Sequence, residues 1–489
     1  METAPADTGF APAPLIEVRS IDWVPHAERR GKLWHQLPLW FTGNFQYFSI
    51  PIGFIGPSLG LSFGWTALAG ALGILIGTLF MAFHASQGPQ LGLPQLIQSR
   101  GQFGYRGVII PLGATLFTYL AFNVADQVLV GLGLQDTFGW NAQAVAIGAA
   151  LIAAALAILG HDWLHRAFRS ILLLLLPLTT VLTIGVLLGH GGGSAPADPG
   201  GFTWVAFMAQ LSAAAAYNIT YAPYVSDYSR YLPANTKPSS VIASVFVGAS
   251  GAAIWLITLG AWMATRLGAT DGLAGLQLAG NNVIPHLGSI VAALSALALV
   301  ATMGMNAYGG ALTVLTTIDC FRPFTPSRRA RILAILGLTV VWYVIGRSIS
   351  AGAVTTVFVA LTLMLYLLVP WTATNLVDFF VVRRGHYSIG ELFRVEGIYG
   401  VWSWRGLTAY AAGLLAEVPF MVIHMTRADG SKLFDFVGPV ADRMNEVDLA
   451  WLVGLVVTAV VYLVLARTID LAAEATLTQE PVTLGEVPA

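Results

Sequence analysis

Leu39-Trp40-Phe41-Thr42-Gly43-Asn44-Phe45-Gln46-Tyr47-Phe48-Ser49-Ile50-Pro51-Ile52-Gly53 lies inside an apolar stretch long enough to cross a bilayer. Gly, Asn, Gln, Ser and Pro crowd its middle, and they disfavour a continuous helix. Backbone freed from a helix at membrane depth must be paired inside the protein or must line a cavity. The same disturbance returns in Ala215-Ala216-Tyr217-Asn218-Ile219-Thr220-Tyr221-Ala222-Pro223, again an Asn among aromatic residues with a Pro a few residues on. The two segments are five spans apart. Matched interruptions in two halves of a chain point to an inverted-repeat transporter with its site at the midplane. The second pattern predicts an unwound centre at Tyr217 and Asn218, with backbone groups facing the cavity. The alternative is that Pro and Gly merely kink these helices, as they often do in membranes. The matched positions argue against it.

The surroundings agree. Of the 489 residues, 56% are hydrophobic and 10% charged, where a soluble domain carries about 25% charged residues. The chain is a polytopic membrane protein, all α-helical, with the lipid bilayer as its main partner. Apolar runs of about 20 residues predict twelve spans, at roughly 36–62, 66–86, 109–134, 141–160, 170–189, 203–225, 239–265, 286–316, 331–348, 351–381, 406–425 and 448–467. The expected organisation is a tail at 1–35, a first repeat at 36–190 and a second repeat at 203–381. Two further spans over 406–467 and a tail at 468–489 complete it. With the N-terminus inside, nineteen of the 24 Lys and Arg residues fall in inside segments. The positive-inside rule then places both termini in the cytoplasm, and the expected location is the plasma (inner) membrane. The N-terminal tail lacks the apolar core of a signal peptide. Cys320 is the only cysteine, so no intrachain disulfide or thiolate metal cluster can form.

Asp126 is the most informative polar residue. It lies in the third span, where a carboxylate costs roughly 3 kcal/mol even on a lenient insertion scale unless it faces a cavity or a partner. Asn123 lies beside it. Thr302 and Asn306, at i and i+4 in the eighth span, share a helix face. Spans one, three, six and eight therefore supply Gln, Asn, Asp and aromatic groups. That set suits a planar solute with amide-like edges, held between rings and read by a few hydrogen bonds. No nucleophile–base pair or metal cluster at membrane depth suggests an enzyme, no repeated pore motif suggests a channel, and no nucleic-acid partner is expected.

Three segments carry a family likeness. Ser86-Gln87-Gly88-Pro89-Gln90-Leu91-Gly92-Leu93-Pro94-Gln95-Leu96-Ile97-Gln98-Ser99-Arg100-Gly101-Gln102-Phe103-Gly104-Tyr105 resembles the loop after the second span of the nucleobase–cation symporters, the purine–cytosine permease type. Tyr224-Val225-Ser226-Asp227-Tyr228-Ser229-Arg230-Tyr231-Leu232-Pro233 resembles their signature after span six. Pro370-Trp371-Thr372-Ala373-Thr374-Asn375-Leu376-Val377-Asp378-Phe379-Phe380-Val381-Val382-Arg383-Arg384-Gly385 resembles the end of their span ten. The resemblance runs from about Trp34 to about Phe420. It implies the LeuT-type fold, two inverted five-helix repeats plus two extra helices, with substrate held between spans one, three, six and eight.

Carried over residue by residue, the resemblance puts Phe122 where a ring stacks on the substrate. Asp126 falls where an amide usually reads it, Tyr217 and Asn218 fall in the broken sixth span, and Asn306 falls on the amide of span eight. Asn44 and Gln46 lie in the matching unwound region of span one, with their register open. It implies symport of a nucleobase-like small molecule with a coupling cation and no bound cofactor. Cytosine, purines, hydantoins, allantoin or a vitamin such as thiamine or pyridoxine would all fit such a pocket. Sodium-coupled members place two adjacent hydroxyl residues in span eight. Here the pair reads Ala301-Thr302, or Val300-Ala301 in another register, so at most Thr302 remains. Hard cations want several oxygen ligands, which favours a proton over sodium, with Asp126 as its carrier.

Other signals are weaker. His161 and His165 share a helix face in what reads as a short connection, and a structural role is expected rather than a metal. Gly88 to Gly107 lacks a Gly-Lys-Ser/Thr ending, so it is not a phosphate loop. The family likeness implies an amphipathic intracellular helix at the membrane surface there. Gly73 and Gly77 form a small-xxx-small packing pattern. Glu417 is expected against a polar neighbour or lipid headgroups, and Cys320 in packing.

Overall fold

Span one consists of two helices, Gln36–Asn44 and Ser49–Ser58, and residues 45–48 between them are not helical. Span six is likewise Trp204–Ile219 and Ala222–Ser229, interrupted at Thr220 and Tyr221. Both breaks have the same local cause. A proline gives no N–H to the carbonyl four residues earlier, and its ring clashes with that carbonyl. For Pro51 that carbonyl belongs to Tyr47, and for Pro223 it belongs to Ile219. The second break therefore lies beyond the expected position. Tyr217 and Asn218 are in the last turn of a helix, and the Thr220 N–H still reaches the Ala216 carbonyl at 3.0 Å. Side chains re-satisfy the freed backbone. The Ser49 hydroxyl donates to the Asn44 carbonyl at 3.0 Å, and that of Thr220 to the Tyr217 carbonyl at 2.6 Å.

The computed structural model describes residues 22–193, 200–322, 327–349, 352–426 and 431–478. The outer parts of both tails, and the side chains of His161 and His165, lie outside the described residues. Eight helices are unbroken and long: Phe63–Ala85, Ile109–Phe138, Ala142–Leu159, His161–Leu187, Pro238–Arg266, Leu287–Asp319, Arg328–Ser348 and Ala353–Val377. The two broken spans and the shorter helices Trp404–Glu417 and Ala450–Ala466 complete the twelve.

Three boundaries differ from expectation. Span five begins at His161, so the supposed connection is its first turns. Span eleven ends at Glu417, because Pro419 follows and the chain turns into a hairpin of strands Val422–Thr426 and Lys432–Val437. The Gly88–Gly107 segment is not one surface helix. It holds the short helices Gln87–Leu91, Gln95–Gln98 and Arg100–Phe103, largely buried. Glu417 is fully buried with neither carboxyl oxygen partnered, and its carboxyl lies over Gly454 of span twelve.

Spans one, two, six and seven pack chiefly on one another, and so do spans three, four, eight and nine. Small residues allow the first group to close up. A Cβ on Gly53 would sit 2.1 Å from the Ile257 carbonyl oxygen, and one on Gly260 would sit 2.1 Å from that of Ile50. Gly73 and Gly77 meet the backbone of span six in the same way. Overpacking at such a contact costs about 1–3 kcal/mol or more. Gly260→Val is therefore expected to lower the melting temperature sharply. Gly251→Val on the same helix, where a Cβ meets open space, should leave it nearly unchanged. Equal melting of the two variants would contradict this packing.

On the face to which both ends of the described chain return, a buried polar cluster joins span ten to its neighbours. The Asp378 carboxylate accepts from Arg383 Nη1 at 2.5 Å, Gln102 Nε2 at 2.7 Å, Tyr387 Oη at 2.5 Å and Tyr462 Oη at 2.7 Å. Arg383 Nε also pairs at 2.8 Å with Glu474 on the C-terminal helix Leu471–Thr478. Burial works against the Arg383 charge, but Asp378, Tyr462, Tyr387 and Glu474 together outweigh it and keep the guanidinium protonated. From Gln102 the bonds continue through Asn375, Gln87 and Gln95 to Ser226 in the second half of span six. These partners explain why the glutamine-rich segment is buried.

Candidate functional site

The break in span one lies between the two helix groups. Phe48, its last non-helical residue, is buried and meets two rings. Phe122 of span three meets it edge-on at 5.1 Å between centroids, and Tyr217 of span six lies nearly parallel to it, at 5.7 Å and 10°. Tyr221, one turn on, meets Tyr217 edge-on at 5.6 Å. These are the geometries that ring quadrupoles favour. The Tyr221 hydroxyl donates to the Gly43 carbonyl at 3.0 Å, tying the two breaks together.

Polar contacts close the sides. Asn306 of span eight donates through Nδ2 to Asn123 Oδ1 at 3.1 Å, and Asn123 Nδ2 donates to the Met303 carbonyl at 3.1 Å. One turn away, the Thr302 hydroxyl faces Gln46 Oε1 at 3.0 Å and the Ala298 carbonyl at 3.1 Å. With one proton, it shares its donation between them. Gln46 also borders a narrow cavity lined by Tyr47, Thr179, Leu256 and Ser295.

Asp126 lies one turn beyond Phe122 on the same face of span three. Its side chain is 1% exposed, and neither carboxyl oxygen has a hydrogen-bond partner. The titratable groups that interact with it are Tyr217 and Tyr221. Buried carboxyl oxygens are almost always paired; among the described residues Asp126 shares this exception with Glu417 of span eleven, and Asp126 is the one that lies at the broken helices.

The structure thus gathers Gln46, Phe122, Asp126, Tyr217, Thr302 and Asn306 around one break. It adds Phe48 and Asn123. Phe48 could be read as an aromatic residue just before Ser49-Ile50-Pro51, but its direction depends on where the helix restarts. Two of the expected residues point elsewhere. Asn218 Nδ2 donates to Thr78 Oγ1 of span two at 2.5 Å, and Asn44 Nδ2 donates to the Trp40 carbonyl of its own helix at 3.2 Å. Among the described residues, no three His, Cys, Asp or Glu side chains gather as metal ligands do.

Comparison with known proteins bears on the family and the fold. A sequence model of permeases for cytosine/purines, uracil, thiamine and allantoin matches residues 23–454. The chain is 33% identical over 456 residues to a putative purine-cytosine permease of Bacillus subtilis, covering 92% of this chain and 96% of that protein. It is 23% identical over 483 residues to a purine-cytosine permease of Emericella nidulans, covering 92% and 88%. Among solved structures, it is similar to Mhp1, a nucleobase-cation-symport-1 family transporter, in a closed conformation with bromovinylhydantoin bound. The TM-score is 0.71 at 18% identity, with 95% of this chain and 99% of that chain covered. The inward-facing conformation of Mhp1 gives a TM-score of 0.69. The likeness to Mhp1 shows the LeuT-type fold, and the sequence match shows the family: this chain belongs to the permeases for cytosine/purines, uracil, thiamine and allantoin, the nucleobase–cation symporters.

Proposed function

We propose that this chain imports a nucleobase or related planar heterocycle by cation symport, with a proton as the coupling ion. The observation that carries the reading is the junction of two broken helices. An aromatic group, an amide pair and an unpartnered buried carboxyl meet there, between two separately packed helix groups. The relatives named as purine-cytosine permeases support the substrate class. A planar ring stacking on Phe122 or Tyr217 takes the place held by Phe48. The two helix groups rock about this site, opening it to each side in turn. The distribution of Lys and Arg supports an orientation with both termini in the cytoplasm.

Proton coupling is supported by two features. Thr302 is the one hydroxyl at the Ala301–Thr302 pair, and it is engaged with Gln46 and Ala298. Asp126, near the middle of the 30-residue span three, has both oxygens open to a proton. Purified protein in liposomes is expected to accumulate labelled nucleobase under an inward proton gradient and to ignore a sodium gradient. Accumulation driven by sodium alone would refute proton coupling. Equilibration without accumulation under either gradient would refute symport.

A further inference from the structure

Spans eleven and twelve lie outside the central site, yet they bury a carboxyl with nothing to bond to. Gly413 and Glu417 of span eleven face Thr458 and Gly454 of span twelve in antiparallel register. A Cβ on Gly413 would sit 1.9 Å from Thr458 Oγ1, and one on Gly454 would sit 1.9 Å from Glu417 Oε1. Each glycine makes room for the polar group opposite. Both carboxyl oxygens of Glu417 and Thr458 Oγ1 are buried without a hydrogen-bond partner. Glu417 is also the last residue of its α-helix, where the helix dipole is negative and repels an anion. Among the described residues, the titratable groups that interact with it are all acids. They are Asp448 at the entry to span twelve, Tyr366 of span ten and Tyr410 of its own span. The basic groups of the hairpin, His424 and Lys432, pair with Asp435 and Glu446 instead. An ionised Glu417 would have no cation and no bonded donor, so the pocket suits the neutral acid.

The same place bears on a bend in span ten. Pro370 lies inside that helix and offers no N–H to the Tyr366 carbonyl, a usual cause of a sharp bend. Gly413 packs there, and a Cβ on it would lie 3.2 Å from that of Pro370. The Tyr366 hydroxyl donates to Asp448 Oδ2 and accepts from the Val422 N–H at 3.2 Å. The Tyr410 hydroxyl donates to the Leu367 carbonyl at 2.8 Å. Spans eleven and twelve therefore hold span ten where its own hydrogen bonding is interrupted.

We propose that Glu417 is a proton-binding site separate from the central one, and that its proton latches the outer half of span ten at Pro370. On closing, Asp448, which is only partly buried, takes a proton from outside water. Its O–H bond then breaks as the Glu417 O–H bond forms, and the Asp448 carboxylate accepts from Tyr366. On opening, the Glu417 O–H bond breaks and the proton returns through Asp448 to outside water. The Glu417 carboxylate then draws water between the three spans, and the outer half of span ten swings away. This proton does not cross the membrane. An alkaline medium outside releases the latch.

The test uses the purified full-length protein in liposomes and needs no substrate. Dicyclohexylcarbodiimide adds to protonated carboxyls in apolar sites, and mass spectrometry of peptides locates the product. Glu417 is expected to be labelled at about pH 7, where an ordinary Glu of pKa about 4.3 is ionised. Its labelling should fall at least about tenfold by about pH 10. Movement of span ten is read from Val357→Cys in a Cys320→Ala background, because Val357 is fully buried in the outer half of that span. Its reaction with a maleimide should speed up with pH at least about tenfold more in the protein with Glu417 than with Glu417→Gln, which stays neutral. Glu417→Asp keeps a carboxyl and should restore the pH response. Absence of Glu417 labelling at about pH 7 overturns the proposal, and this measurement needs no variant. Equal pH responses with Glu417 and Glu417→Gln overturn the latch. Either failure leaves the transporter reading standing.

Discussion

Asp378→Ala should destabilise the folded protein by about 3 kcal/mol, because it breaks a buried ion pair and leaves Arg383 with Glu474 as its remaining carboxylate. Arg383 is only 7% exposed, so water cannot replace the lost carboxylate. The same change removes the acceptor of Gln102, Tyr387 and Tyr462. Spans ten and twelve and the segment after span two would lose their common anchor. Thermal melting of the detergent-solubilised protein measures this. Wild-type melting of Asp378→Ala would show that the cluster does not hold these elements together.

Asn306→Ala and Phe122→Ala should each lower nucleobase uptake by about 10- to 100-fold while the protein still folds. Removing a partner so that a buried polar group is left unsatisfied costs about 1–3 kcal/mol, and Asn306→Ala strands Asn123 Oδ1. Phe122→Ala removes the edge-on neighbour of Phe48 and, on the proposed function, a stacking face for the substrate, where an aromatic contact is worth about 0.5–1.5 kcal/mol beyond its area. Binding affinity of the purified variants separates site loss from misfolding. Unchanged affinity in both would remove Asn306 and Phe122 from the substrate site.

Much of the architecture was legible in the sequence because it rests on local physics. Apolar runs set by bilayer thickness located the twelve spans, and proline chemistry located two breaks in spans one and six. The burial of Asp126 followed from its place in an apolar run. The family motifs named the spans that meet. Where local reasoning slipped, a neighbour in sequence had the deciding effect. Pro223 moves the second break past Tyr217 and Asn218, and Pro419 ends span eleven early.

What only the tertiary structure decided is direction. Tyr217 and Asn218 are adjacent on one helix, yet about 100° of rotation separates neighbouring side chains. One therefore joins the aromatic cluster at Phe48, and the other turns to Thr78 of span two. Gln87, Gln95 and Gln102 read as a polar surface segment, but their partners Asn375, Ser226 and Asp378 come from spans six and ten. No local pattern announces such partners. Hydropathy and proline act within a few residues and can be read from the chain. A side chain's rotation and partner depend on which helices pack together, so they exist only in the folded molecule.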